Sequence, residues 1–393
     1  MQERAGIDGT RGWLVVVGTF FSSFVTLGIA YSFGAFFTDM ADEFDSTRAA
    51  TSVIFGLTTF AFFWLSLITG RLADRFGPRP VLAVGAAFLF AGLLATSQVN
   101  SLTAGYVTYG VGVGVAAAAG YIPMVAAVGG WFEQHRATAV GLAVAGIGAG
   151  TLVMSPLSAA LVERYGWRDT YRALGFVGTA VLLVCVALVD RPPNQAGPQP
   201  SRMREALRSP VFRQLQVSAF ASGLALFVPF VFVGQYAKER GVGSVAAAVL
   251  VGVLGGASVL ARIGFGSLVR RFGSMPLYRT GFALLAASFI VWFIAGSSYT
   301  LLIVFALVLG VGYGGFVALS TIVIAERMGT EGLGSLLGVF YTTQGLGGLI
   351  GPIVAGAAID ALDSYRPIIA ACFLLEVAAL VLLRGLPAPD PSS

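Results

Sequence analysis

The chain has 393 residues, 56% hydrophobic and 11% charged, with a formal net charge of +5. A water-soluble domain carries about 25% charged residues, so the composition excludes an ordinary soluble protein. The apolar runs are too long for barrel strands, which makes the expected fold class an all-α membrane protein. The single histidine, His135, lies in a polar stretch. A histidine-built metal site is therefore excluded and a histidine proton relay is not expected. Cys185 and Cys372 lie far apart in apolar runs and read as buried thiols with no disulfide framework. The N-terminus lacks a short apolar region with a small-residue cleavage site, so no removable signal peptide is expected.

Twelve apolar segments follow in chain order. The first six are Trp13–Phe37, Thr51–Leu72, Val81–Ser97, Thr103–Trp131, Ala137–Val162 and Thr170–Val189. The second six are Leu215–Tyr236, Val245–Val269, Leu277–Ala295, Thr300–Ala325, Leu333–Ile359 and Pro367–Leu383. A stretch rich in Pro and Arg divides them six and six. The expected domains are residues 1–190, a linker at 191–210, and residues 211–393. Arginines crowd the even-numbered gaps, among them Arg71, Arg75, Arg79, Arg136, Arg191, Arg270 and Arg271, whereas the first gap is acidic. The positive-inside tendency then places both termini and the linker in the cytoplasm. The basic excess sets topology and does not indicate nucleic-acid binding.

The halves repeat one another. Gly70–Pro80, GRLADRFGPRP, returns 196 positions later as Gly266–Pro276, GSLVRRFGSMP. Pro156 and Pro352 share that register, and GVGVG at Gly110–Gly114 returns as GVGYG at Gly310–Gly314. A repeated six-helix unit predicts two pseudo-symmetric six-helix bundles.

Within the eighth segment one full charge, Arg262, stands eight or nine residues before the basic pair Arg270 and Arg271. At ~1.5 Å per residue that is roughly 12–14 Å, about half of a ~30 Å hydrocarbon core. An arginine there costs at least ~2.5 kcal/mol. It keeps its charge and offers a fork of donors matched to a carboxylate. Either it faces a water-filled cavity and binds an anion, or helix carbonyls or a neighbouring acid hold it. Glu376, in the last segment, is the other charge well inside a span. It reads either as a proton acceptor or as a partner-bound acid at the bundle edge.

Gly70-Arg71-Leu72-Ala73-Asp74-Arg75-Phe76-Gly77-Pro78-Arg79 resembles the loop signature of the major facilitator superfamily. The resemblance covers essentially the whole chain. It implies two six-helix bundles, a midplane site and alternating access. Arg71, Asp74 and Arg75 are then candidates for a charge latch between the halves. Two stretches resemble the monocarboxylate transporter family. One is Asp8-Gly9-Thr10-Arg11-Gly12-Trp13, and the other is Trp131-Phe132-Glu133-Gln134-His135-Arg136-Ala137 running into Gly141-Leu142-Ala143-Val144-Ala145-Gly146. The basic pair of the second is weakened here to His-Arg. The oxalate/formate exchangers are close relatives with similar stretches.

Arg262 falls where that family keeps an eighth-helix arginine. Many members carry an aspartate one turn earlier, and here that position is Ser258. A serine does not titrate near neutral pH, which puts the usual proton carrier in doubt. Tyr31 and Tyr121 sit near binding-site tyrosines of this group. Tyr313, Tyr341 and Gln344 are further cavity candidates, each with a packing role as its alternative. In the eleventh helix the oxalate exchanger has a lysine close to the position of Gln344. The resemblance implies a carrier of small monocarboxylates of the lactate or pyruvate type, proton-coupled, in the cell membrane. The alternatives are an oxalate/formate-type anion exchanger or a non-transporting carboxylate sensor. The expected partners are an organic acid anion, a proton and the lipid bilayer, without nucleic acid or cofactor, and the expected state is a monomer. No triad, metal cluster or nucleotide motif points to an enzyme.

Overall fold

A backbone crossing lipid must satisfy its N–H and C=O groups internally, and helices do this here. The computed structural model describes residues 8–193, 207–329 and 333–386. Most of the proposed linker, 194–206, lies outside them. Among the described residues every regular element is helical. Eleven helices are long and apolar enough to cross a membrane, and one of them is two spans in series. That helix, Arg136–Leu188, breaks at Gly166, whose φ of 78° lies in the left-handed region. The described residues therefore hold twelve helices of membrane-crossing length and composition. These are α1 (Thr10–Ala35), α2 (Arg48–Phe76), α3 (Pro78–Thr96), α4 (Leu102–Trp131), α5 (136–165) and α6 (167–188). The second half gives α7 (Pro210–Lys238), α8 (Ser244–Phe272), α9 (Ser274–Ala295), α10 (Tyr299–Met328), α11 (Leu333–Leu362) and α12 (Arg366–Arg384).

The sequence repeat has a local physical cause. Helix α2 ends at Gly77 (φ 91°), whose N–H bonds the carbonyl of Ala73. Helix α8 ends at Gly273 (φ 78°), bonded in the same way to Val269. A left-handed terminal residue is cheap only for glycine, so both copies of the motif keep one. The paired prolines sit inside α5 and α11. Each removes one helix hydrogen bond and leaves the carbonyl four residues earlier free. Gly252 of α8 lies against the carbonyl of Leu152 that Pro156 frees, close enough that a Cβ there would come within 2.9 Å of its oxygen.

The halves meet along two helix pairs, α2 with α11 and α5 with α8. Small residues set how closely they approach. A Cβ on Gly255 would lie 2.6 Å from the Cβ of Thr151 and 2.9 Å from the carbonyl oxygen of Gly148. On another face of α5, Gly146 and Gly150 let the backbone of α1 come as close, at Phe20 and Phe24. Gly146 and Gly150 toward α1 and Gly148 toward α8 thus serve contact on two sides of α5, as small residues do between helices in lipid. Three crossings of the described residues are interrupted within their length, among them α4, which breaks at Tyr121 and restarts at Ile122. Helix α1 gives way at Ser32 to a tight turn over Phe33–Ala35, and α7 is offset at Phe227, just before Pro229. The end carrying the linker and Gly77 is called the linker end below, and the opposite one the far end.

Gly255→Ala places a methyl where neither Thr151 nor the Gly148 backbone can yield freely. Overpacking of this kind costs about 1–3 kcal/mol. The expected result is a thermal midpoint several degrees lower in detergent. An unchanged midpoint would contradict the backbone-to-backbone packing of α5 on α8.

Candidate functional site

Arg262 lies in α8 one turn after Ser258, on the side turned to the first bundle. Its Nη1 donates to the carbonyl of Val144 in α5 at 3.3 Å, so the guanidinium reaches across the seam. Its Nε and Nη2 are buried and, among the described residues, have no hydrogen-bond partner. No ion pair joins Arg262 to a carboxylate among the described residues. A buried charge left partly unsatisfied is costly, on the order of several kcal/mol. The arrangement therefore favours an anion that can accept from those two nitrogens.

Three phenols gather at this charge. The guanidinium carbon stands 5.7 Å from the ring centroid of Tyr313 in α10. Tyr31 of α1 and Tyr121 of α4 both lie within electrostatic reach of Arg262. Tyr31 is buried, with its ring 4.8 Å from that of Phe230 in α7. Phe230 also meets Tyr313 edge-on at 6.0 Å. Helices α1, α4, α7, α8 and α10 thus each send one side chain to the cluster. The result is one fixed positive group, three hydroxyls and an aromatic wall. Such a set can hold a carboxylate at one end and enclose a short apolar body at the other.

The remaining sequence candidates fall elsewhere. Tyr341 of α11 stacks on Phe63 of α2 at 6.0 Å, and its hydroxyl lies 3.5 Å from the carbonyl of Val317. It is within electrostatic reach of Tyr121 and Tyr313, and so sits at the edge of the cluster. Gln344 is buried and donates to the carbonyl of Ala219 in α7 at 2.6 Å, which turns its amide into the packing of the second bundle. The hydroxyl of Ser258 donates to Gly255 of its own helix at 2.8 Å. Glu376 is fully buried between α12 and α7, where Ser222 donates to its Oε1 at 2.9 Å. At the linker end Arg191 donates to the backbone carbonyls of Asp74 and Arg75. Among the described residues no ion pair joins the side chains of Arg71, Asp74 or Arg75 to the second bundle. Sequence reasoning missed Phe230, one of 30 phenylalanines, and the Val144 carbonyl, a backbone group with no side-chain signal.

The two family-like stretches dock onto one another. Asp8 accepts from the backbone N–H groups of Glu133, Gln134 and His135 at 3.1–3.4 Å. Its own N–H donates to the carbonyl of Trp131 at 3.0 Å. Trp13 packs edge-on against Phe132 at 5.0 Å, and Gly12 leaves room for that ring. The start of α1 is thereby clamped to the turn between α4 and α5, the helix that carries Val144. Desolvation works to raise the Asp8 pKa. The backbone donors and His135 outweigh it and hold the carboxyl below the usual carboxylate range.

The chain matches the family model described as the Major Facilitator Superfamily over residues 19–352 and 266–393. It is 32% identical to monocarboxylate transporter 4 of Mus musculus, across 96% of this chain and 84% of that protein. It is also 32% identical to monocarboxylate transporter 3 of Rattus norvegicus, across 91% of this chain and 76% of that protein. Among solved structures the nucleoside transporter NupG superposes with a TM-score of 0.77, covering 95% of this chain and 99% of its own. At 12% identity that likeness carries the fold alone. Twelve crossings in two bundles and these matches define a multi-pass membrane transporter of the major facilitator type. The chain belongs to the monocarboxylate transporter family within that superfamily.

The Asp8 clamp has a defined pH dependence. A carboxyl whose folded pKa is lowered contributes stability that is complete above its unfolded pKa and is lost as pH falls through the folded one. Asp8→Ala should speed amide hydrogen exchange at Glu133, Gln134 and His135 at neutral pH. The wild type should approach that behaviour only in acid. Equal exchange in both proteins at neutral pH would show that something other than Asp8 holds the turn.

Proposed function

We propose that this protein carries small monocarboxylate anions of the lactate or pyruvate type across the cell membrane, together with a proton, by alternating access. The observation that carries the reading is the guanidinium of Arg262 at the seam, whose buried Nε and Nη2 have no hydrogen-bond partner among the described residues and lie beside three tyrosines. Nε and Nη2 form one edge of the planar fork and match the two oxygens of a carboxylate. The names of the curated relatives, monocarboxylate transporters 3 and 4, agree with that ligand class.

The mechanism follows from charge. With Arg262 unpaired, the site presents a net positive group that is expensive to enclose in a low-dielectric interior. A bound carboxylate neutralises it, and the loaded halves can then rock past one another. Ser258 stands where many relatives place an acid, and its hydroxyl is committed to its own helix. A proton on the substrate carboxyl would cancel its pairing with Arg262, so a co-transported proton travels on a bound water. Glu376, tied to Ser222 in the packing of α7 and α12, is a poor candidate. The arginine-rich gaps orient the linker end and both termini to the cytoplasm.

One fixed cation suits one negative charge. The second carboxylate of a diacid would meet neutral phenols, and desolvating it costs several kcal/mol where ~1.4 kcal/mol is already tenfold in affinity. In reconstituted vesicles, lactate or pyruvate should compete for uptake far better than oxalate or malonate. Arg262→Ala should abolish uptake in a folded, inserted protein. Arg262→Lys should lose at least tenfold, because an ammonium lacks the planar fork. Near-normal uptake by either variant would reject this site. Stronger inhibition by oxalate than by lactate would favour an oxalate/formate-type exchanger.

A further inference from the structure

At the far end the two bundles are joined by charge. Arg48, the first residue of α2, donates from Nη2 to Oε1 of Glu239 at 2.9 Å and from Nη1 to Oδ1 of Asp360 at 3.2 Å. Glu239 follows α7 and Asp360 lies in the last turn of α11, so both ion pairs cross from one half to the other. The second oxygen of Asp360 accepts the backbone N–H of Ala49 at 3.2 Å. That N–H belongs to the first turn of α2, where it has no partner in its own helix. An acid of the second bundle therefore caps a helix of the first. Tyr365 donates to the same Oε1 of Glu239 at 2.5 Å and fixes that carboxylate.

The approach depends on Gly356, where a Cβ would lie 2.7 Å from the Ala49 nitrogen. A second tie lies at the same end. Thr38 donates to Oε1 of Gln235 at 2.5 Å, and Gln235 donates to the carbonyl of Gly34 at 2.9 Å. It joins the extensions of α1 and α7 beyond their offsets.

We infer that Arg48, Glu239 and Asp360 form a reversible latch that holds the far end shut and must part each time that end opens. Its strength suits the task. The side chains of Arg48, Glu239 and Asp360 are 35%, 40% and 25% exposed, so water can take over either partner when the pair separates. A cavity of about 300 Å³ lined by Arg48, Glu239, Arg240 and Arg366 borders the pair and gives water that access. Two half-exposed ion pairs and a shared helix cap bias an equilibrium by roughly tenfold. That is enough to favour one closure and too little to trap it. A fully buried pair would be far harder to break.

The test needs no substrate and so stands apart from the proposed function. Ser155 is buried in the seam, where its hydroxyl donates to Ala248 of α8 at 3.0 Å. In a background with Cys185 and Cys372 replaced by alanine, Ser155→Cys reports opening through its labelling by a membrane-impermeant maleimide. The reagent is applied separately from each side of the membrane. Arg48→Ala should raise the labelling rate from the far-end side roughly tenfold. Glu239→Gln and Asp360→Asn, which keep side-chain volume, should each raise it less. Adding Glu239→Gln to Arg48→Ala should change nothing further, because its partner is already gone, whereas adding Asp360→Asn should show only the weakening of the Ala49 cap. If Arg48→Ala does not fold, the two amide variants carry the test alone. Rates within twofold of the parent in all folded variants, or effects that simply add, would overturn the latch.

Discussion

A single guanidinium buried where two helical bundles meet is the constraint on which the rest of this structure depends. It cannot lose its proton, and its desolvation is only partly offset by the Val144 carbonyl. The two nitrogens without partners face the same requirement in every conformation that keeps them dry. The phenols of Tyr31, Tyr121 and Tyr313 soften that cost without cancelling it, because they are dipoles rather than charges. Among the described residues the charge is left uncompensated. Under the proposed function a mobile anion supplies the missing charge, and this ties a local electrostatic deficit to the movement of whole bundles.

The scaffold around the charge joins close helix contacts to interrupted crossings. Contacts between the halves combine close glycine approaches, as at Gly255 against Thr151 and Gly252 against Leu152, with aromatic pairs such as Tyr31–Phe230 and Phe63–Tyr341. The helices that bring Tyr31 and Phe230 are interrupted close by, at Ser32 in α1 and Phe227 in α7. Directional ties lie at the ends. Asp8 clamps α1 to the α4–α5 turn within the first bundle, and Arg48 bridges the bundles at the opposite end.

Much of this was legible in the sequence for identifiable reasons. The crossings announce themselves because lipid demands long apolar helices, and the repeat was visible because Gly77 and Gly273 both need a left-handed backbone. Arg262 stood out because a lone charge in an apolar run has few explanations. Its partner did not, since Val144 acts through its backbone. Tyr341 and Gln344 show the limit of helical spacing. Three residues apart leaves them about 60° apart around the axis, enough for one to meet α2 and α10 while the other turns to α7. The Asp8 clamp joins stretches more than 120 residues apart, and only folding brings them together.

The central claim is that the Nε and Nη2 edge of Arg262 receives the carboxylate of the transported acid. The most direct measurement is a structure of the protein determined with a saturating monocarboxylate, lactate or pyruvate. The account predicts both carboxylate oxygens within hydrogen-bond distance of Nε and Nη2, with at least one of Tyr31, Tyr121 and Tyr313 completing the shell. A carboxylate bound elsewhere in the seam, with Arg262 still partnered only by the Val144 carbonyl, would contradict it.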